Sequence, residues 1–259
     1  MAETEISGLP EIPNNWCWAY SGEVFAFVTS GSRGWAQYYS DTGSIFIRIT
    51  NLDFNSLNLD LSPETTQYVN LPNEAEGMRT KVQENDFLFS IPGYLGMFAL
   101  VPKNLPEAYV NQHIALARPC ENLNYRYLGY YFISEVGGIR QFQEKQKGAT
   151  KAGLTLDDIQ TAKIPFPSLE EQEQIVQEIE LRLSTCDQLE ASIIENLQKS
   201  EALRQSTLKQ AFEGKLVPQD PSDEPAEKLL ERIQAEWLVN GNTDKKSKPS
   251  HQQLTLQEL

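Results

Sequence analysis

The sequence predicts an α/β architecture: a mixed globular domain, then one very long helix, then a short C-terminal helix. Three observations predict it. Short β-branched and aromatic runs recur across residues 9–167, punctuated by Gly, Pro, Asn and Asp. From Ser168 to Ala211 no Gly or Pro occurs, and apolar or small residues recur at a mean spacing of about 3.6, the period of a straight helix. A proline-rich segment then leads into a second helical pattern.

The strand-like runs are Val24–Val28, Ser44–Ile49, Phe87–Ile91 and His113–Ala117. Asn124–Phe142 changes period: Tyr127, Leu128, Tyr131, Phe132 and Ile139 recur at helical spacing, broken at Gly137-Gly138. Pro165-Phe166-Pro167-Ser168 marks a boundary, because proline restricts itself and its predecessor while serine can cap the helix that follows. Glu170, Glu171 and Glu173 then place negative charge at the positive end of the helix dipole. The stripe runs through Ile175, Ile179, Leu183, Cys186, Leu189, Ile193, Leu197, Ser200, Leu203, Thr207 and Ala211. A helix of this extent is roughly 66 Å long at 1.5 Å per residue. That is too long for one compact domain to cover, so the stripe calls for a second helix, from another chain or from the tail. Gly214 ends it. Pro218, Pro221 and Pro225 keep the next segment extended, and Asp223-Glu224-Pro225 opens a helix to about Trp237 with Leu229, Leu230 and Ile233 on it. The division is therefore residues 1–167, 168–213, 214–240 and a polar tail, 241–259.

Composition sets the class. Hydrophobic residues at 40% and aromatics at 10% suffice for a core and exclude global disorder. Three widely spaced cysteines, Cys17, Cys120 and Cys186, fit neither a disulfide framework nor a zinc site, which points to a reducing, cytoplasmic setting. Met1–Pro10 shows no secretory pattern, and no apolar run of about 18 residues suggests a membrane span. Net charge is −14, with both halves acidic: 12 Lys+Arg against 18 Asp+Glu up to Ser168, and 10 against 18 beyond it. The exception is Gly138–Lys163, where Arg140, Lys145, Lys147, Lys151 and Lys163 outnumber Glu144, Asp157 and Asp158. Such a patch on an acidic body predicts modest, salt-sensitive affinity for phosphate.

The toolkits of catalysis are missing. Glu213-Gly214-Lys215 lacks the upstream glycine of a phosphate loop, and neither a His-Glu-x-x-His motif nor a Gly-x-Ser-x-Gly elbow occurs. No metal site is expected. Asp157-Asp158 reads as a helix start, where carboxylates satisfy free amides, and His113 reads as a core or edge histidine of a strand.

Three segments taken in order resemble the target-recognition domain of type I restriction-modification specificity subunits. The first is Ser30-Gly31-Ser32-Arg33-Gly34-Trp35 with Phe46–Leu52. The second is Glu84–Ser90 running to Gly96, then Val110–Pro119. The third is Lys147-Gly148-Ala149-Thr150, Leu154 and Ile164-Pro165-Phe166-Pro167, with Glu170-Glu171-Gln172 leading into the long helix. Ala211–Pro218 resembles that family's ending. The resemblance covers about residues 9–237. It implies a non-catalytic subunit that reads one half of a split double-stranded DNA site and docks methyltransferase subunits, and through them restriction subunits. S-adenosylmethionine, ATP and magnesium would belong to those partners, with no cofactor of its own. Full-length members carry two recognition domains and two spacer helices. This chain has one of each, so a self-dimer through Ile175, Ile179, Leu183, Leu189, Ile193, Leu197 and Leu203 is expected, and a truncated product is the other possibility.

Within that resemblance, loops on a rigid scaffold are the expected readers. Ser32 and Arg33 sit between glycines ahead of Tyr38-Tyr39, and Arg33 could reach a guanine edge or a phosphate. Lys145, Lys147, Thr150 and Lys151 flank Gly148 and Gly153 and could seat phosphates. Tyr94, in Pro92–Gly96, could pack on DNA or within its own turn. Arg48, in a strand, is expected to make a structural ion pair. An alternative from another class is an assembly or inhibitor protein that occupies the methyltransferase through the helix without reading DNA. The −14 charge suits that alternative and the basic loop argues against it.

Overall fold

In the computed structural model, residues 9–72, 78–91, 96–146 and 153–240 are described. The chain forms two units, Met1–Cys186 and Asp187–Leu259. In chain order the first contains β1 (Cys17–Tyr20), α1 (Ser21–Val24), β2 (Phe25–Ser30), β3 (Tyr39–Ser40), β4 (Ser44–Ile47), β5 (Tyr68–Val69), β6 (Phe87–Ser90), β7 (Phe98–Leu100), β8 (Ala108–Val110), β9 (Ile114–Pro119), α2 (Tyr125–Ile133), α3 (Gly138–Gln146), α4 (Leu156–Gln160) and β10 (Lys163–Phe166). Helix α5 (Leu169–Phe212) begins there and runs into the second unit, which adds α6 (Ala226–Asn240).

Two four-stranded sheets, ordered β2-β9-β6-β7 and β3-β5-β4-β8, form the body of the first unit. The first is antiparallel throughout, and in the second β4 and β8 run parallel. Strand periodicity explains why the first sheet is buried on both faces. Phe87 and Phe89 point one way, opposite Ala117 and Ala115 in register. The two alanines leave room for the rings of Phe25, Phe98, Phe132 and Phe142, all in one cluster. Leu88, Ile114 and Leu116 point the other way, into a second cluster with Ile45, Ile47 and Val110.

Several sequence readings shift at their edges. The run starting at Val24 becomes a strand only from Phe25, because Ser21–Val24 closes a helical turn in which Glu23 accepts from the Tyr20 amide. The run ending at Ile49 stops at Ile47, and Ile49–Asn51 is a 3₁₀ turn. Asn124–Phe142 is two helices. Asn124 caps α2 by accepting from the Tyr127 amide (3.0 Å), and α3 starts at Gly138. Thr155 caps α4, with Asp158 accepting from the Thr155 amide (2.9 Å), so the carboxylate of Asp158 does serve a helix start.

A third, two-stranded pairing joins β1 to β10, with Cys17 opposite Phe166 and Tyr20 opposite Lys163. It leads directly into α5. Ser168 caps this helix, accepting from the Glu171 amide (3.3 Å). Gln172, 1% exposed, then locks the helix down. Its amide donates to the Pro167 carbonyl (3.1 Å), and its carbonyl accepts from the Asn124 amide (3.1 Å). Val176 is buried and Ile175 packs against the same phenylalanine cluster. At the far end the amides of Lys215 and Leu216 both bond to the Gln210 carbonyl, closing the helix before Gly214 and the extended segment. Among the described residues no helix is long and apolar enough to cross a membrane, and no cluster of His, Cys, Asp or Glu could hold a metal ion.

Candidate nucleic-acid interface

The loop after β2 is shaped by close backbone approach. Gly31 donates to the Ile114 carbonyl (3.0 Å) and Ser32 to that of Val110 (3.1 Å), which lashes the loop to the β8–β9 connection. A Cβ on Gly31 would lie 1.9 Å from the Asn111 carbonyl oxygen, so only glycine fits there. Gly34 adopts φ +76°, a left-handed turn that glycine takes without steric cost. Trp35 then plugs into the second sheet. It is buried, stacked on Phe46 (5.4 Å between centroids) and edge-on to Tyr109 (5.3 Å).

The result is a polar cleft of about 530 Å³ between this loop and Arg79, with Arg33, Gln37 and Tyr38 on its walls. Two guanidinium groups line it, and among the described residues no carboxylate does. Arg33 is exposed and has no hydrogen-bond or ionic partner among the described residues. Arg79 is anchored. Its Nη1 donates to the Thr29 hydroxyl and to the Ser30 carbonyl (2.8 Å). Ser32, read from the sequence as a contact residue, lines the cleft but is 6% exposed, and its hydroxyl lies 3.3 Å from that of Thr80.

A neighbouring cation is committed elsewhere. Lys81 pairs with Glu107 (2.7 Å), which also accepts from Ser44 (2.9 Å) and Tyr109 (3.1 Å). The Lys81 bond, helped by Ser44 and Tyr109, holds the Glu107 carboxyl below its ordinary value, so it stays charged. Burial, with Glu107 beside it, pushes the Tyr109 phenol up to about 12, so it remains a donor.

Of the other sequence candidates, Lys145 is not among the residues lining this cleft. Lys145, at the end of α3, bonds to the Thr161 hydroxyl and pairs with Asp158 on α4 (3.2 Å). Tyr94, Lys147, Thr150 and Lys151 lie outside the described residues. Arg48 makes no ion pair among the described residues. Its Nη2 donates to the Thr65 carbonyl (3.0 Å), because the chain segment facing it offers a backbone oxygen instead of an acid. His113 is exposed, just before β9, with its ring 2.9 Å from the Gln112 amide, and is not part of the strand. No local pattern points to Arg79, whose place in the cleft depends on contacts 49 and 50 residues away.

Of the predicted interface positions, Ile175 packs on the first unit's own core and Ile179 is half-buried. Leu183, Leu189, Ile193, Leu197 and Leu203 are 45–68% exposed. On α6, Leu229, Leu230, Ile233 and Trp237 are also at least half exposed, so the tail helix does not cover the stripe.

A family model for the type I restriction-modification DNA specificity domain matches residues 39–199. That match covers most of the chain, from β3 well into α5, and the chain belongs to this family. Among curated relatives, the EcoBI type I restriction enzyme specificity subunit of Escherichia coli is 28% identical over 212 residues, covering 77% of this chain and 43% of that one. Among solved structures, the HsdS subunit of Thermoanaerobacter tengcongensis superposes with a TM-score of 0.56 at 24% identity, over 81% of this chain and 48% of that one. A chain from a study of type I restriction-modification complex assembly and conformational transition gives 0.63 at 21% identity, over 81% and 49%. These two likenesses establish the fold. The chain spans less than half the length of each of these relatives.

Proposed function

We propose that this chain is a sequence-specific DNA-reading specificity subunit, without catalytic activity of its own, that directs the methyltransferase of a type I restriction-modification system. The observation that carries the reading is the family match, which runs from the recognition domain into the long helix. The cleft supports it, since two cationic donors with no acid beside them among the described lining residues suit phosphates and base edges. The first unit reads one half of a split site, and α5 sets the distance to the other half and docks the methyltransferase and, through it, the restriction subunits. S-adenosylmethionine, ATP and magnesium serve those partners, in the cytoplasm, and the chain itself needs no cofactor.

The second half-site comes from a second copy. Support lies in the exposed stripe, since a helix this long with unpaired apolar positions gains by burying them against a like helix. In sedimentation velocity the chain is expected to run as a dimer. The pair Ile193→Glu with Leu197→Glu should convert it to a monomer with unchanged thermal unfolding of the recognition domain. A monomeric wild-type chain sinks the self-dimer.

The function is tested by sequencing genomic methylation after co-expression with the cognate methyltransferase subunit. A new palindromic split motif is expected. A non-palindromic motif would replace the homodimer with a mixed pair of specificity chains. A stable complex with no new methylation would favour the second reading, an assembly or inhibitor protein. One observation speaks for that reading: Lys145, first of the basic loop, is already neutralised by Asp158.

A further inference from the structure

Resting on that reading, we infer that Arg79 is the residue that reads a guanine, and that Arg33 beside it grips the backbone. A guanidinium carries five N–H donors in a rigid plane. In Arg79 the two hydrogens of Nη1 are taken by the Thr29 hydroxyl and the Ser30 carbonyl, the last two residues of β2. What remains is the Nε–Nη2 edge, two parallel donors with no partner among the described residues, on a side chain lining the cleft. Two parallel donors match the O6 and N7 acceptors of guanine in the major groove.

Anchoring separates the two arginines. A side chain whose orientation is already fixed loses little freedom when it binds, and it cannot swing to follow a displaced acceptor. Those are the requirements of base reading, where register decides the outcome. An unanchored arginine can follow a phosphate through several geometries, and Arg33 is unanchored, on a loop flanked by Gly31 and Gly34. The anchor also ties the reader to the sheet. Ser30 pairs with Ala115 on β9, and that strand is buried in the middle of the first sheet.

The test uses the complete complex with its methyltransferase and duplexes carrying its methylation motif. Each guanine in turn is replaced by 7-deazaguanine, which keeps Watson–Crick pairing and removes the N7 acceptor. With the wild-type chain, one guanine per half-site should weaken binding roughly fivefold or more, and the others should not respond. With Arg79→Lys, which keeps the charge and loses the fork, that response should vanish and the same motif position should become degenerate. Affinity for unrelated DNA and the dependence on salt should stay as in the wild type. Three results would overturn the inference: no guanine responding in the wild-type complex, a motif unchanged by Arg79→Lys, or an equal loss on all sequences with a shallower salt slope, which marks a phosphate contact. If Arg79→Lys folds poorly, Arg79→Gln carries the same comparison, and a wild-type scan in which no guanine responds still overturns the inference. A wild-type complex with no sequence preference at all would overturn the DNA-reading function as well, whereas a clear motif insensitive to Arg79 would overturn this inference alone.

Discussion

Replacing Phe132 by alanine is expected to lower the stability of the first unit by about 4 kcal/mol, within the range for emptying a fully buried aromatic site. The ring on α2 is 2% exposed and sits among five other phenylalanines, with Tyr131 beside it. It stacks on Phe25 (5.9 Å) and Phe142 (6.2 Å, 2° between planes), and meets Phe89 edge-on (5.1 Å). Phe87 and Phe98 complete the set at 6.2 and 6.5 Å. These partners come from β2, β6, β7 and α3, so the ring ties both helices to the sheet, and the neighbours cannot all collapse into the space it leaves. Urea unfolding followed at several wavelengths should show a lower midpoint at unchanged slope. Phe132→Leu should retain a large part of the stability. A loss below about 1 kcal/mol for the alanine would mean that the cluster closes over the gap, contrary to its close packing.

The second large effect is expected at Asp86. Its side chain is fully buried, yet it carries a bidentate pair with Arg118, Nε to Oδ1 and Nη2 to Oδ2, both 2.8 Å. It also accepts from the Gln83 amide (2.7 Å), while Arg118 lies over the Phe27 ring and donates to the Lys81 carbonyl. Asp86→Ala strands the guanidinium and the amide together. The cost should be about 3 kcal/mol, the lower end for breaking a buried pair, because Arg118 keeps 27% exposure. Asp86→Leu with Arg118→Met should recover much of it, since burying two apolar groups needs no compensating charge. The pH dependence has a definite sign. Burial raises the Asp86 carboxyl above its ordinary value of 3.8, although Arg118 and the Gln83 amide pull it down. A carboxyl whose folded value lies above the unfolded one takes up protons more readily in the fold. Its contribution is fully present below 3.8 and declines as pH rises through the folded value. The stability gap between wild type and Asp86→Ala should therefore widen as pH falls from neutrality towards 3.8, and a gap that closes would show that pairing outweighs burial.

How much of this could be read from the residues alone follows the range of the interaction. The β-branched and aromatic alternation of β6 and β9 is local, and both strands are visible in the sequence. So is the 3.6-residue period of α5, whose bounds differ from the reading by one residue at each end. The parallel pairing of Ile45 with Ala108 is not, because no local pattern records which distant strand a strand will choose. The same division runs through the site. The glycines around Ser32 and Arg33 announce a loop, but Arg79 enters the cleft only through Thr29 and Ser30. Counting charges registers both Lys145 and Asp158 and misses that the two pair with each other. Nor does the stripe itself distinguish Ile175, which its own domain covers, from Ile193, which remains 59% exposed.

The pairing of Cys17 with Phe166 has a consequence for how such a domain can be exchanged. Antiparallel partners stand only about 5 Å apart, so the chain enters and leaves the recognition domain through one narrow gate. A different domain with the same gate could be spliced between the flanking segments without stretching either of them, and α5 would start from the same doorstep. The domain between these two strands, with its cleft and its anchored arginine, is in this sense a cartridge. Its contents can change between two points 149 residues apart in the chain but adjacent in space, while the long helix keeps its mounting.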